Sequence, residues 1–503
     1  MSNQILRDIL NTTAPFLDTG FEMPLEQEIL LADYDLPVFK IIRSTAQHTI
    51  TGKYINGSRL IIEGFFRTEI YYQSSAPSRL TSVSKKIPFQ KQFELSEGVQ
   101  RPYFITIDGE CQYINTRAVN STRIESRGVY RFTVRGYARL RQQTATAVDS
   151  TTACTENEEV DYFSLCGRGI RRFSVEDEIS FGGAPDRILH ISAHPGKIST
   201  RLYRDKVNVK SEIEAEILYT VEDSTEIHRM VKTFPCNQMA DVPGTDESCV
   251  AYADLSVMGI TVTGDADNRK IRCMVTAQRD VKVFRKQNMM AVTDVFSRRY
   301  RYTSQTQPVV CDANVVAVSR NAAVTVEDMI GSGYEVVHCF AQATSPVITT
   351  DNDVTVLKSK ILFSAIVKNS REEYECFTKT ESIVINTGDA ISEDNEYFIT
   401  VQAGECTAQM TSDVLKVKAD LLITGFVICR RTVDTVSLFE ENTEKTADTV
   451  TDRLVLYYGR KGEKLFDIAK TYKTDVQLIM DENAIESKIL GDDRMLFIPS
   501  FGQ

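Results

Sequence analysis

No stretch of this 503-residue chain reaches the 18 consecutive apolar residues that a membrane-spanning helix needs. The first 28 residues hold no apolar run of signal-peptide length, because Asp8, Asn11, Thr12 and Thr13 interrupt it, so no secretion signal is read. Eleven cysteines are scattered from Cys111 to Cys429 without one C-x-x-C pair, which fits neither a disulfide framework nor a zinc site and points to a reducing cytoplasm. A basic excess is also missing. The net charge of −11 argues against a general nucleic-acid binder, which needs a basic face to replace phosphate counterions.

Catalytic signatures are equally scarce. There is no phosphate-binding G-x-x-x-x-G-K-S/T loop, no G-x-S-x-G elbow and no H-E-x-x-H helix. The five histidines are His48, His190, His194, His228 and His338. His190 and His194 would stand about 13 Å apart in an extended segment, too far for one simple metal site. Adjacent acids such as Glu158-Glu159 and Glu372-Glu373 do not make the opposed carboxylates of a glycosidase, and read as solvated. The expectation is a protein that is not an enzyme, with no catalytic residue, no metal and no cofactor.

What is present is repetition. The length suggests roughly three domains and a surplus. Tyr103-Phe-Ile-Thr, running on to Gly109-Glu-Cys111, returns as Tyr397-Phe-Ile-Thr, running on to Gly404-Glu-Cys406. Halfway between lies Cys249 to Thr263, a similar stretch without the Gly-Glu-Cys tripeptide. Acidic opening motifs start at Phe21 (FEMPLEQEI), Phe173 (FSVEDEISF) and Val324 (VTVEDMIGS), and read first as a capped turn starting each copy, with a docking surface for an adjacent copy as the alternative. Closing motifs start at Val134 (VRGYARLR), Val275 (VTAQRDVKVFR) and Ile423 (ITGFVICRR). Landmarks recurring in one order set an architecture of three copies. Cys111 and Cys406 read as small apolar strand residues.

Within the copies the pattern alternates. Val207, Val209, Ile213, Ala215, Ile217 and Tyr219 interleave with polar residues, the signature of a strand with one buried face. Asn56-Gly57 and Asp351-Asn352-Asp353 supply hairpin turns. The fold class expected is mainly β, with three tandem antiparallel β-sandwich-like repeats. Residues 2–12 are expected to form a short amphipathic helix, and residues 146–159 and 438–449 exposed loops or linkers.

From Arg453 the grammar changes to a small βααβ unit: a strand ending at Tyr458, a turn over Gly459 to Gly462, and helical spacing at Leu465, Ile468, Ala469 and Tyr472. A second helix around Val476 to Met480 and a closing strand to Pro499 complete it, with Tyr457, Leu465, Ile468, Leu478, Leu496 and Ile498 as the expected core. Eight basic side chains balance eight acidic ones from residue 453 onward, so the whole negative charge lies upstream.

Residues 455–499 resemble a LysM module, matching its loop at Lys461-Gly462, its helix at Leu465, Ile468, Ala469 and Tyr472, its turn at Asn483 and its last strand at Leu496, Ile498 and Pro499. The upstream copies resemble the SPOCS domain in their acidic motifs, in Leu60 to Tyr72 and Glu212 to Asp223, and in their closing strands. Three such copies before a LysM module are similar to the SipL family of spore morphogenesis proteins. The boundaries implied are an N-terminal segment 1–20, SPOCS-like domains 21–155, 165–310 and 320–445, and a LysM domain 453–501.

The resemblance implies a non-enzymatic scaffold in endospore coat or envelope assembly, located in the mother-cell cytoplasm at the forespore surface. Its LysM module would bind a coat morphogenetic protein, the ATPase of the stage IV sporulation protein A type. The alternative is binding of peptidoglycan or chitin, polymers of N-acetylglucosamine. Lys464 stands where sugar-binding modules carry Thr or Ser, and the second loop has no Pro, which favours a protein partner. The partner- or glycan-binding residues expected from these loops are Lys461, Gly462, Glu463, Lys464, Leu465, Asn483, Ile485, Glu486, Ile489 and Leu490.

Overall fold

Alternating apolar and polar residues run through most of the chain, and in the computed structural model the described residues form seven antiparallel sheets. It describes residues 4–499 except 76–77, 96–103, 182–184, 222–223, 225, 266–269, 352–353, 387–391, 393 and 447–454. Tyr103, Asn352, Asp353, Arg453 and residues 2–3 and 447–449, used in the sequence reading, lie outside the described residues.

The first stretch starts with a long strand β1 (Gln4–Leu30) and a meander of β2 (Val38–Asn56), β3 (Arg59–Ser74) and β4 (Leu80–Glu94). Strands β5 (Phe104–Asn120) and β6 (Arg123–Asp149) return to β1 in the order β1-β6-β5. Next come β7 (Ala153–Ser180), β8 (Pro185–Pro195), β9 (Ser199–Tyr203), β10 (Lys206–Val221), β11 (Ile227–Asp241), β12 (Val250–Asp265) and β13 (Lys270–Ser297). They form sheets β11-β10-β8, with β9 beside β10, and β12-β13-β7. The last large stretch holds β14 (Tyr300–Met329), β15 (Tyr334–Ala343), β16 (Val347–Asp351), β17 (Val354–Asn369), β18 (Tyr374–Ile385), β19 (Glu396–Thr411) and β20 (Val414–Thr446). Its sheets are β14-β20-β19 and β15-β17-β16, with β18 beside β17.

Each meander sheet faces a long-stranded sheet across a core. In the second stretch that core takes Val207, Val209, Ile213, Ala215 and Ile217 from β10, each at most 3% exposed. The long strands continue past these cores and pack on one another. Phe104 and Tyr137, Tyr252 and Phe284, and Phe426 and Ile428 join the three stretches in one central cluster. Strands of 27 to 33 residues, several times the usual length, follow from this double duty. In β20, Leu415, Val417, Ala419 and Leu421 fill the core under the meander, whereas Phe426, Ile428, Val433 and Phe439 meet the other long strands.

Two of the three closing motifs contain a glycine for a steric reason. A Cβ at Gly425 would lie 2.1 Å from the Phe398 carbonyl oxygen, and one at Gly136 would lie 2.4 Å from the Phe16 ring.

Several expectations change. Residues 4–12 belong to strand β1, paired with β6, instead of a helix. Residues 146–149, 153–159 and 438–446 are strand, and only a tight turn at 150–152 separates β6 from β7. The acidic opening motifs run along the C-terminal ends of β1, β7 and β14, and are not capped turns: Glu22 pairs with Arg131 at 2.8 Å, and Glu327 with Lys416 at 2.8 Å. The turn after β2 is centred on Gly57-Ser58, with positive φ at Gly57 alone.

Candidate partner-binding module and the buried polar junctions

The remaining elements, β21 (Val455–Gly459), α1 (Leu465–Tyr472), α2 (Val476–Glu482) and β22 (Arg494–Ile498), make a small unit. The two strands pair with Tyr457 opposite Leu496 and Tyr458 opposite Met495. Leu465, Phe466, Ile468 and Ala469 turn the inner face of α1 into the core. From α2 the buried residue is Ile479; Leu478, expected inside, is 37% exposed, because a helix of seven residues presents one narrow face.

The two loops singled out in the sequence lie side by side. The Gly462 N–H donates to the Leu490 carbonyl at 2.8 Å, and the Leu490 N–H to the Glu463 carbonyl at 3.0 Å. The Leu465 N–H donates to the Lys488 carbonyl at 2.9 Å, and Lys464 bridges Ile489. Gly462 takes φ +89°, which suits glycine.

Five of the ten candidate residues have side chains engaged inside the module. Leu465 and Leu490 are buried, and Ile485 packs against the same core. The Glu463 carboxylate accepts from the Tyr457 hydroxyl at 3.2 Å and the Arg460 N–H at 3.0 Å. The Asn483 amide donates to the carbonyls of Ile479 and Phe497, and its oxygen accepts from the Phe497 N–H at 2.7 Å. Lys461, Glu486 and Ile489 remain exposed. Sequence reasoning missed the outer face of the hairpin, where Leu456, Tyr458 and Met495 are 56%, 63% and 63% exposed. Its signal was the period of two, which sends Leu456 and Tyr458 opposite to Val455 and Tyr457.

The module is seated on the body. The Phe466 ring meets Phe296 of β13 edge-on at 5.3 Å, and Phe296 is fully buried in the module's own core cluster. Lys470 pairs with Asp294 at 2.6 Å, Arg298 with Asp475 at 3.0 Å, and Lys464 with Glu156 at 3.6 Å. Asp475 also caps α2 by accepting from the Gln477 N–H. Lys464 occupies the N-cap of α1 without a side-chain bond, since an ammonium has no acceptor to offer.

A second concentration of titratable groups lies where the meander sheets meet. His190 Nδ1 is 2.9 Å from the Glu69 carboxylate and 2.8 Å from the Tyr71 hydroxyl. Arg43 stacks 3.9 Å from the Phe340 ring centroid, and Arg229 bridges Glu216 and Glu405. Burial raises the Glu69 carboxyl, but His190 beside it, together with Arg67 and Arg43, outweighs that and holds it below its usual range. Burial pushes buried His338 well below the usual imidazole range, with His190 adding repulsion. Near the central cluster, burial pushes Lys53 down to about 8, and its ammonium donates to the Ile105 carbonyl at 2.7 Å. Among the described residues no group of His, Cys, Asp and Glu is arranged to hold a metal.

Family comparison decides the affiliation of two parts of this architecture. Residues 37–119 and 185–264 match the family described as SipL, SPOCS domain. Over these two stretches the chain is SipL-like. The first SPOCS match spans β2 to β5 and the second β8 to β12, in each case the meander plus the strand that returns to the long sheet. The match marks a sporulation-related protein. Residues 334–411 and the C-terminal module lie outside the matched SPOCS segments. No curated protein and no solved structure matches the chain. Among the described residues no helix is long and apolar enough to cross a membrane.

Proposed function

We propose that this chain is a non-enzymatic scaffold of endospore coat or envelope assembly. Three SPOCS-like units form its body, and a LysM-like module at its C-terminus recruits a coat morphogenetic protein, an ATPase of the stage IV sporulation protein A type. Its place of action is the mother-cell cytoplasm at the forespore surface. The observation that carries the reading is the SPOCS match at two equivalent places in the fold. The module adds support through its free surface. An apolar hairpin face (Leu456, Tyr458, Met495) and a charged loop rim (Lys461, Glu486) offer the apolar centre and polar border of a protein interface.

The test compares the full chain with a chain ending at residue 452, in pull-downs with the coat ATPase and in sedimentation with insoluble peptidoglycan. The reading expects ATPase retention by the full chain alone and no sedimentation with the glycan. Sedimentation without ATPase binding would establish the sugar-binding alternative.

A further inference from the structure

The basic run Arg168 to Arg172 divides by face. Arg168 pairs with Asp280 at 2.6 Å and Arg172 donates to the Gln278 side chain at 3.1 Å, both on the face of β7 turned away from the core of the second stretch. Arg171 is exposed and points the other way, directly opposite Arg279 of β13, which stands opposite Leu255 of β12. On that face of β13 Cys273, Val275, Ala277, Val281 and Val283 are fully buried in the core, and Arg279 takes a place in their row, itself 3% exposed. Among the described residues its Nε and Nη1 are buried without a hydrogen-bond partner. Asp241, near the end of β11, is the neighbouring countercharge, but it is 82% exposed and its ion pair is with Lys206 at 3.9 Å. Gly169, two residues along β7 from Arg171, packs against Ala240 and Val242, so this end of β11 borders the two arginines.

Like charges directly opposite across a strand pair repel, and a buried charge without a partner is costly. Burial and the neighbouring Arg171 pull Arg279 below its ordinary range, and Asp241 offsets this only in part. A guanidinium keeps its proton even so, and the two cations stay face to face. An anion between them turns both costs into attraction. We propose that Arg171 and Arg279, with Lys206 at the rim, form a binding site for a phosphate dianion, free or as a small monoester, at the open edge between β7 and β11. Both strands are edges of their sheets, which leaves this side of the sandwich accessible. Arginine forks suit phosphate oxygens, which accept from them in pairs. Arg171, Arg279 and Lys206 less Asp241 leave two positive charges, which a phosphate group of about −1.5 to −2 neutralises and a single carboxylate does not. The exposed Arg171 receives the ion, and Arg279 turns its fork toward it as the buried charge gains a partner.

The experiment is equilibrium dialysis of the full-length chain against inorganic phosphate, and separately against phenyl phosphate, at constant ionic strength in chloride. The expected result is one phosphate bound per chain, lost in Arg171→Gln, a change at an exposed position that should not disturb the fold. Binding of phenyl phosphate as well assigns the site to monoesters, and binding of inorganic phosphate alone assigns it to the free ion. Melting curves separate a binding role from a structural one. In phosphate-free buffer Arg279→Met should melt higher than the wild type, because a buried unpaired charge is gone, and it should lose the rise in melting temperature that phosphate gives the wild type. No phosphate on the wild-type chain, equal binding by Arg171→Gln, or an Arg279→Met chain that melts lower without phosphate would overturn the proposal.

Discussion

His48 illustrates how a single side chain ties stability to pH. Its ring contacts the Tyr130 hydroxyl at 3.0 Å, and burial pushes it down from 6.5 to about 4. Because the folded state holds it neutral, its contribution is complete above about pH 6.5 and is lost as pH falls toward 4. His338 acts in the same direction, whereas Glu69, whose carboxyl is held below its usual 4.5, loses its contribution only at pH below that value. The melting temperature should therefore fall between pH 7 and pH 5, and fall less in His48→Gln. Identical pH slopes for the two proteins would dismiss this assignment. None of this was legible in the sequence, since Tyr130 is 82 residues away. The alternation of β10, by contrast, was legible because its buried face is encoded locally in every second residue.

At the scale of elements, the errors share one cause. Ile5, Leu6, Ile9 and Leu10 fit a helical face as well as a strand, and the choice falls to β6, about 140 residues away. Residues 146–149 and 438–446 look like linkers because only part of each faces a core, yet long-range pairing with β1 and β14 makes them strand. The seam between β1 and β14 holds a buried polar contact beside the apolar Leu10, Val309 and Cys311. Buried Asp312 accepts from the Thr12 hydroxyl at 2.7 Å and the Thr13 N–H at 2.8 Å, and Arg430 donates to the Thr13 carbonyl. Asp312→Ala leaves those donors unpaired and should cost about 1–3 kcal/mol in chemical denaturation, with earlier proteolysis in β1. A change within error would show that this seam does not stabilise the closure. Asp475→Ala removes both the cap of α2 and the link to Arg298, and should cost about 1–2 kcal/mol. If the module's unfolding is unaltered, the link is incidental.

The whole molecule joins three long-stranded sheets around one apolar centre and seats a small module on the ends of their strands. The predominance of strands and the element order of the C-terminal unit were visible in the sequence. Their mutual packing was not, because Phe104, Tyr252 and Phe426 carry no local mark of meeting one another. The seating also bears on function. Lys464, placed among the partner-binding residues, faces Glu156 of the body, and Ile485 packs inward, so substitutions there would mix docking or folding with binding. Exposed positions separate these effects. The most direct measurement of the central claim is the affinity of the folded full-length chain for the coat ATPase, beside those of Tyr458→Glu and Ile489→Arg. The account predicts that binding weakens at least about tenfold in one of these variants, the loss of an interface anchor, while the melting temperature is kept. Equal affinity for all three chains, or for a chain ending at residue 452, would contradict recruitment through the module.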